Sequence, residues 1–294
     1  MRKQEYPGSD IVIEQTLTPG SNYNRYIVSY KSEGLKIFAL LTVPAGDKPE
    51  GGWPVIIFNH GYIPPAQYRT TERYVAYTDA FSRNGYIVLR SDYRGHGNSE
   101  GNPDGAYYSP AYTIDVLNAV SSIKRYPDAN PNKIGMWGHS MGGSITLRSM
   151  VTTDDVKVGV IWAGVVASYE DMANNWHRSR PWTPSPREQS IRRPSRQEII
   201  DKYGDFESNP EFWNSISPIS FVGEISGPVQ LHHGTEDGDV PVLFSQRLYD
   251  ALNDIEKETE LYIYEGDDHN LAANLTTALT RSVDYFDKFL KEIE

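Results

Sequence analysis

The sequence predicts an α/β protein: a mostly parallel, doubly wound sheet with antiparallel N-terminal strands and an inserted cap. Three observations predict it. From Val55 onward, short apolar runs alternate with helix-length amphipathic runs, the pattern of a parallel sheet covered by helices on both faces. Before Val55, three runs separated by turn residues read as strands in succession. From about Ser168 to Gly227 the rhythm breaks for roughly sixty residues, far longer than an ordinary strand–helix connection.

The first three strands are expected at Ile11 to Leu17, Tyr23 to Tyr30 and Leu35 to Val43, with turns at Pro19-Gly20-Ser21-Asn22 and Ser32-Glu33-Gly34. Alternation in Lys36-Ile37-Phe38-Ala39-Leu40 marks half-buried antiparallel strands. Six further strands follow at Val55 to Phe58, Tyr86 to Leu89, Lys133 to Trp137, Val158 to Trp162, Val229 to His232 and Leu261 to Tyr264. Helices are expected at Thr71 to Arg83, Tyr112 to Arg125, Met141 to Val151, Leu243 to Asn253 and Leu271 to Ile293. The long segment carries Trp176, Trp182 and Trp213 and prolines at 181, 184, 186 and 194, and a short helix is expected at Ile199 to Tyr203. We read residues 168–227 as a cap within one domain. An insertion leaving the carboxyl end of a strand emerges where sites form in such sheets.

Gly138-His139-Ser140-Met141-Gly142 is a Gly-x-Ser-x-Gly pattern with a strand before it and a helix after it. A serine on so sharp a turn is a nucleophile elbow, and a Cβ at Gly138 or Gly142 would collide across it. A serine hydroxyl needs a positioned base, and the base an orienting acid. In this fold class they follow in the order serine, acid, histidine. Asp237 and Asp239, in the glycine turn after Val229 to His232, both qualify as the acid by position. His269, at the tip of the last strand, is the one of seven histidines that meets both order and place. The oxyanion donors are expected to be the backbone N–H groups of Met141 and of Tyr62, which follows Asn59-His60-Gly61 after the first parallel strand. Tyr62, His139, Trp176 and Trp182 are the substrate-binding candidates.

Composition narrows the function. A net charge of -11 argues against nucleic acid as a partner. The absence of cysteine excludes disulfides, thiolate metal sites and a cysteine nucleophile. The chemistry expected of Ser140, His269 and an aspartate needs no metal or cofactor. The N-terminal MRKQEYPGSD lacks the apolar core of a signal peptide, and no stretch is long and apolar enough to span a bilayer. Neither observation fixes the compartment or the oligomeric state. Arg178, Arg180, Arg187, Arg192, Arg193 and Arg196 make the cap locally basic, which reads as a solvated face or as an attraction for an anionic substrate.

At these residues the chain resembles the α/β-hydrolase superfamily, and within it the catalytic domain of the prolyl oligopeptidase family of serine peptidases and related esterases. The resemblance covers roughly Leu35 to Leu290. It rests on Asn59-His60-Gly61-Tyr62, on Asp92-Tyr93-Arg94-Gly95-His96-Gly97-Asn98-Ser99, on Gly138 to Gly143, on His233-Gly234-Thr235-Glu236-Asp237 with Val240-Pro241, and on Asp268-His269. It implies the α/β-hydrolase fold and a Ser-His-Asp triad. It places the acid at Asp237 rather than Asp239, and makes the loop around His96 structural. About 34 residues precede the matching region, too few for the propeller of the classical family members. A Glu-Glu helical arm for gripping a peptide amino terminus is not recognisable. The expected activity is therefore hydrolysis of a small carboxylic ester. A serine peptidase of prolyl-oligopeptidase-like, aminopeptidase or acylaminoacyl type is the alternative, and a non-catalytic binding protein on the same fold a remote one.

Overall fold

A computed structural model of the chain describes residues 1–105, 107–177, 189 and 196–291. One nine-stranded mixed sheet runs through them in the order β1-β2-β3-β5-β4-β6-β7-β8-β9. β1 (Val12–Leu17), β2 (Tyr23–Ser32) and β3 (Leu35–Pro44) are antiparallel, and β3 pairs antiparallel with β5 (Ile87–Ser91). β4 (Trp53–Asn59), β5, β6 (Ala129–His139), β7 (Val158–Trp162), β8 (Val229–Gly234) and β9 (Thr259–Tyr264) are mutually parallel.

The central parallel stretches, such as Val55 to Phe58, Ile87 to Leu89 and Val158 to Trp162, are continuously apolar because both faces are covered. Successive side chains point to opposite sides. Val55 and Ile57 therefore join one buried cluster, and Ile56 and Phe58 the other. The first cluster is closed by α2 (Ala111–Ile123), α3 (Met141–Met150) and α7 (Val242–Asn253), and the second by α1 (Val75–Arg83) and α8 (Leu275–Leu290). The chain runs from β4 to β5 on one side and then to β6 on the other. This is the reversal at whose carboxyl edge open α/β sheets form their sites.

Two helices start later than their sequence pattern predicts, for local reasons. The run beginning at Thr71 becomes α1 only at Val75, because Arg73 and Tyr74 hold left-handed backbone (φ 56° and 49°). Buried Arg90 fixes that bend by donating to the carbonyls of Thr70, Glu72 and Arg73. The run from Leu271 becomes α8 at Leu275. The Asp267 carboxylate draws in the N–H groups of Ala273 and Asn274, and Leu271 is left-handed at φ 53°.

The long segment holds α4 (Tyr169–Asn175), α5 (Arg196–Tyr203), α6 (Pro210–Ile216) and a 3-10 helix (Pro218–Glu224). Only the second was expected. The other starts were written in the chain. Ser168 accepts the N–H of Asp171, and Asn209 accepts that of Phe212 with Pro210 in the first turn. Tyr169, Ile199 and Trp213 form a small buried cluster of their own. Trp182 and the arginines at 178, 180, 187, 192 and 193 lie outside the described residues.

Candidate active site

Ser140 sits between β6 and α3 at φ 56°, ψ −119°, a strained conformation for a residue with a Cβ. The glycines on either side make the tight turn possible. A Cβ on Gly138 would meet the Gly142 carbonyl oxygen at 2.4 Å, across the turn. A Cβ on Gly142 would meet the Asn59 carbonyl oxygen at 1.9 Å, so its glycine is demanded by the neighbouring strand β4 rather than by the turn. The Ser140 N–H is held by the Trp162 carbonyl at 3.0 Å. Met141 opens α3, so its N–H is one of the donors a helix start leaves without an intrahelical partner.

His269 follows β9 and faces the Asp237 carboxylate, with Nδ1 to Oδ2 at 2.7 Å. Asp237 Oδ1 accepts the N–H groups of Asp239 (2.8 Å) and Val240 (2.9 Å), folding the side chain back over its own turn. His233 Nε2 lies 3.1 Å from Asp237 Oδ2, so two imidazoles converge on one carboxylate oxygen. The Asp237 side chain is 1% exposed. Burial by itself would raise its pKa, but hydrogen bonds with His233 and His269 and the charge of His269 hold it well below the usual carboxylate range. Asp239 is exposed and makes no contact with His269 Nδ1 of this kind. The ligand-type atoms of Asp237, Asp239 and His269 lie within 4.8 Å of one another, but His269 Nδ1 is already committed to Asp237, which suits an oriented imidazole better than a cation cage.

A cavity of about 320 Å³ joins Ser140 and His269 to Gly61, Tyr62, His139 and Asp239. Ile63, Arg73, Tyr74, Tyr77, Tyr107, Val240 and Asn270 complete its wall, and none of these was expected from the sequence. Tyr62 lines the same cavity as Ser140. The Gly61 N–H is already spent on the Tyr74 hydroxyl at 3.0 Å. Trp176 stands behind this wall: it packs edge-on against Tyr107, with ring centroids 5.2 Å apart, and donates to the Asp239 carbonyl at 2.7 Å.

His139 is buried, and both its nitrogens are engaged. The Tyr74 hydroxyl, which accepts from Gly61, donates to Nδ1 at 2.7 Å, and Nε2–H donates to the His269 carbonyl at 2.9 Å. In the neutral ring the contact with a carbonyl puts the proton on Nε2, so Nδ1 accepts the Tyr74 hydroxyl. Burial, and the neighbouring His269, lower its pKa to about 3, which keeps it neutral. This chain of bonds links the Gly61 loop, the elbow and the His269 loop. Only His139 of its side chains stood out in the sequence, and Tyr74 carried no motif at all. His96, in the Asp92 to Ser99 loop, is fully buried and edge-on to His60 (6.0 Å), a packing position.

Known proteins share this architecture. The chain is 24% identical over 251 residues to the uncharacterized peptidase YtmA of Bacillus subtilis (strain 168), covering 84% of this chain and 86% of that one. It superposes on the acetyl xylan esterase from Paenibacillus sp. R4 with a TM-score of 0.69 at 17% identity, covering 93% of this chain and 88% of that one. It superposes on the Pyrococcus horikoshii acylaminoacyl peptidase with the same TM-score at 22% identity, covering 93% of this chain but only 43% of the peptidase, so it spans less than half of that protein. These two structures establish the α/β-hydrolase fold. Residues 73–292 match the model of the prolyl oligopeptidase family, and with that match over most of its length the chain belongs to this family and is a serine hydrolase, esterase or peptidase.

Proposed function

We propose that the protein hydrolyses small carboxylic esters through Ser140, His269 and Asp237. The observation that carries this reading is the 2.7 Å contact between His269 and Asp237 on the wall of the cavity that also contains Ser140. Ser140 Oγ attacks the acyl carbon while His269 takes its proton, and the N–H groups of Met141 and Tyr62 receive the negative charge on the carbonyl oxygen. His269 then returns the proton to the departing alcohol, leaving an acyl-enzyme. Water, deprotonated by His269, attacks that acyl-enzyme. The carboxylic acid leaves and Ser140 regains its proton. Asp237 stays ionised throughout, fixes the imidazole tautomer and stabilises the cationic ring. His233 and His139 act as positioning residues, the first on Asp237 and the second on the loop of His269.

The preference for esters rests on the modest size of the cavity. One feature favours a peptidase instead. Asp239 places a carboxylate on the cavity wall, where it can receive a substrate ammonium. Residues 168–227 serve in either case as a cap, with Trp176 supporting the Tyr107 wall. The test is a rate series over p-nitrophenyl esters of increasing acyl length beside aminoacyl p-nitroanilides. Ester rates well above anilide rates support the proposal, and the reverse order assigns a peptidase.

A further inference from the structure

Two turns along α3 from the elbow, Arg148 is 8% exposed. Its guanidinium donates to the Tyr107 carbonyl at 3.1 Å, the Ser109 carbonyl at 3.5 Å and the Tyr169 hydroxyl at 3.0 Å. All three acceptors are uncharged, and no carboxylate of the described residues is paired with it. A buried cation without a counter-ion is costly. Arg90, also buried on carbonyls, differs in that the Asp92 carboxylate shares its electrostatic neighbourhood. Arg148 faces a cavity of about 570 Å³. Neither Ser140 nor His269 lines it, and Tyr107 is its shared wall with the catalytic cavity. Its sides are apolar: Tyr108, Pro110, Val151, Ile216, Pro218 and Phe221, the last 38% exposed at the surface. Lys3 lies on the same wall, whereas Arg2 is occupied by Glu224 at 2.7 Å.

We propose that this cavity binds an amphipathic organic carboxylate, its head on Arg148 and its apolar body along Pro110, Val151, Ile216 and Phe221. A singly charged carboxylate matches the single buried guanidinium charge through the Arg148 donors that its carbonyl and hydroxyl partners leave over, and the apolar sides suit its organic body. The site is separate from the reaction at Ser140, and a binding measurement reads it without turnover.

The test is calorimetric titration of the full chain with 4-phenylbutyrate and, as the neutral match, 4-phenylbutanol. The carboxylate is expected to bind at least ten-fold tighter than the alcohol. Arg148→Met is expected to abolish that preference, and Phe221→Asp, at the exposed rim, to weaken the carboxylate about ten-fold. Equal affinity for the two compounds, or carboxylate binding untouched by Arg148→Met, overturns the proposal, the latter because the ligand then sits elsewhere. Should Arg148→Met fail to fold, Phe221→Asp decides: unchanged binding overturns the site. Failure here leaves hydrolysis by Ser140 intact, and loss of the ester activity leaves this site intact.

Discussion

His139 Nε2 donates to the backbone carbonyl of His269 at 2.9 Å, so the residue preceding the elbow serine holds the loop that carries the proposed base. Its other nitrogen receives the Tyr74 hydroxyl, which also holds Gly61. Tyr74→Phe removes both contacts and leaves a buried acceptor on His139 and a donor on Gly61 unpaired, each worth about 1–3 kcal/mol. We expect kcat to fall roughly ten- to hundred-fold through misplacement of His269 and the Tyr62 donor. Steady-state kinetics with a p-nitrophenyl ester checks it. An unchanged kcat would show that the relay is merely structural.

Ser140→Ala is expected to leave folding intact and reduce ester turnover to below about a hundredth of wild type, since losing the nucleophile of a triad costs far more than that. Labelling by a fluorophosphonate should disappear with it. Residual turnover above that level removes Ser140 from the mechanism.

Asp237→Asn should cost about 10³–10⁴ in kcat, because the amide stabilises the wrong imidazole tautomer, whereas Asp239→Asn should stay within about three-fold. The reverse ranking assigns the acid to Asp239. The depressed Asp237 pKa also has a stability consequence. Its contribution is complete above the ordinary carboxylate value near 3.8 and is lost as pH falls toward the lower folded value. Asp237→Asn should therefore show a shallower acid-side loss of stability than wild type in urea titrations.

Buried histidines set a second, earlier acid limit. His139 and His232 are lowered to about 3 from 6.5, mainly by burial, and His60 well below 6.5 by burial and by His96. An unfolded chain takes up these protons as pH drops below 6.5 while the folded protein does not, so stability is full above 6.5 and declines from there toward 3. Near pH 5 the loss is about 2 kcal/mol for each such ring. Calorimetry should show Tm falling from about pH 7 to about pH 5. His232→Gln, less stable at pH 7, should narrow the difference. A flat profile refutes the assignment of neutral rings.

Trp176→Ala withdraws the support behind Tyr107 and opens the Asp239 carbonyl. Relative rates across esters of increasing size should shift toward the larger ones while Ser140 labelling persists. An unchanged ester profile would separate the 168–227 segment from selectivity.

The sequence by itself determined what short-range sterics and periodicity control. All nine strands occur within or around the runs that predict them; the central ones are legible because a strand buried on both faces must be apolar, and exposed β1 because turn residues bound it. The elbow is legible because Gly138, Ser140 and Gly142 meet within one turn, and His269 because it caps the last strand. Tertiary structure decided which groups meet. Position alone left Asp237 and Asp239 equivalent. The turn that folds the Asp237 carboxylate onto the N–H groups of Asp239 and Val240 aims its Oδ2 at His269 Nδ1, a contact Asp239 does not make. The periodicity places Tyr74 within a helix, yet the grip of Arg90 on its loop delays the start of that helix to Val75 and delivers the Tyr74 hydroxyl to His139, 65 residues away. Arg148 lay within an amphipathic run with nothing to mark it as buried beside a cavity. These contacts depend on strand order and on where each crossover returns to the sheet. No local pattern encodes them, because a hydrogen bond between distant segments is specified by the packing that brings its two ends together.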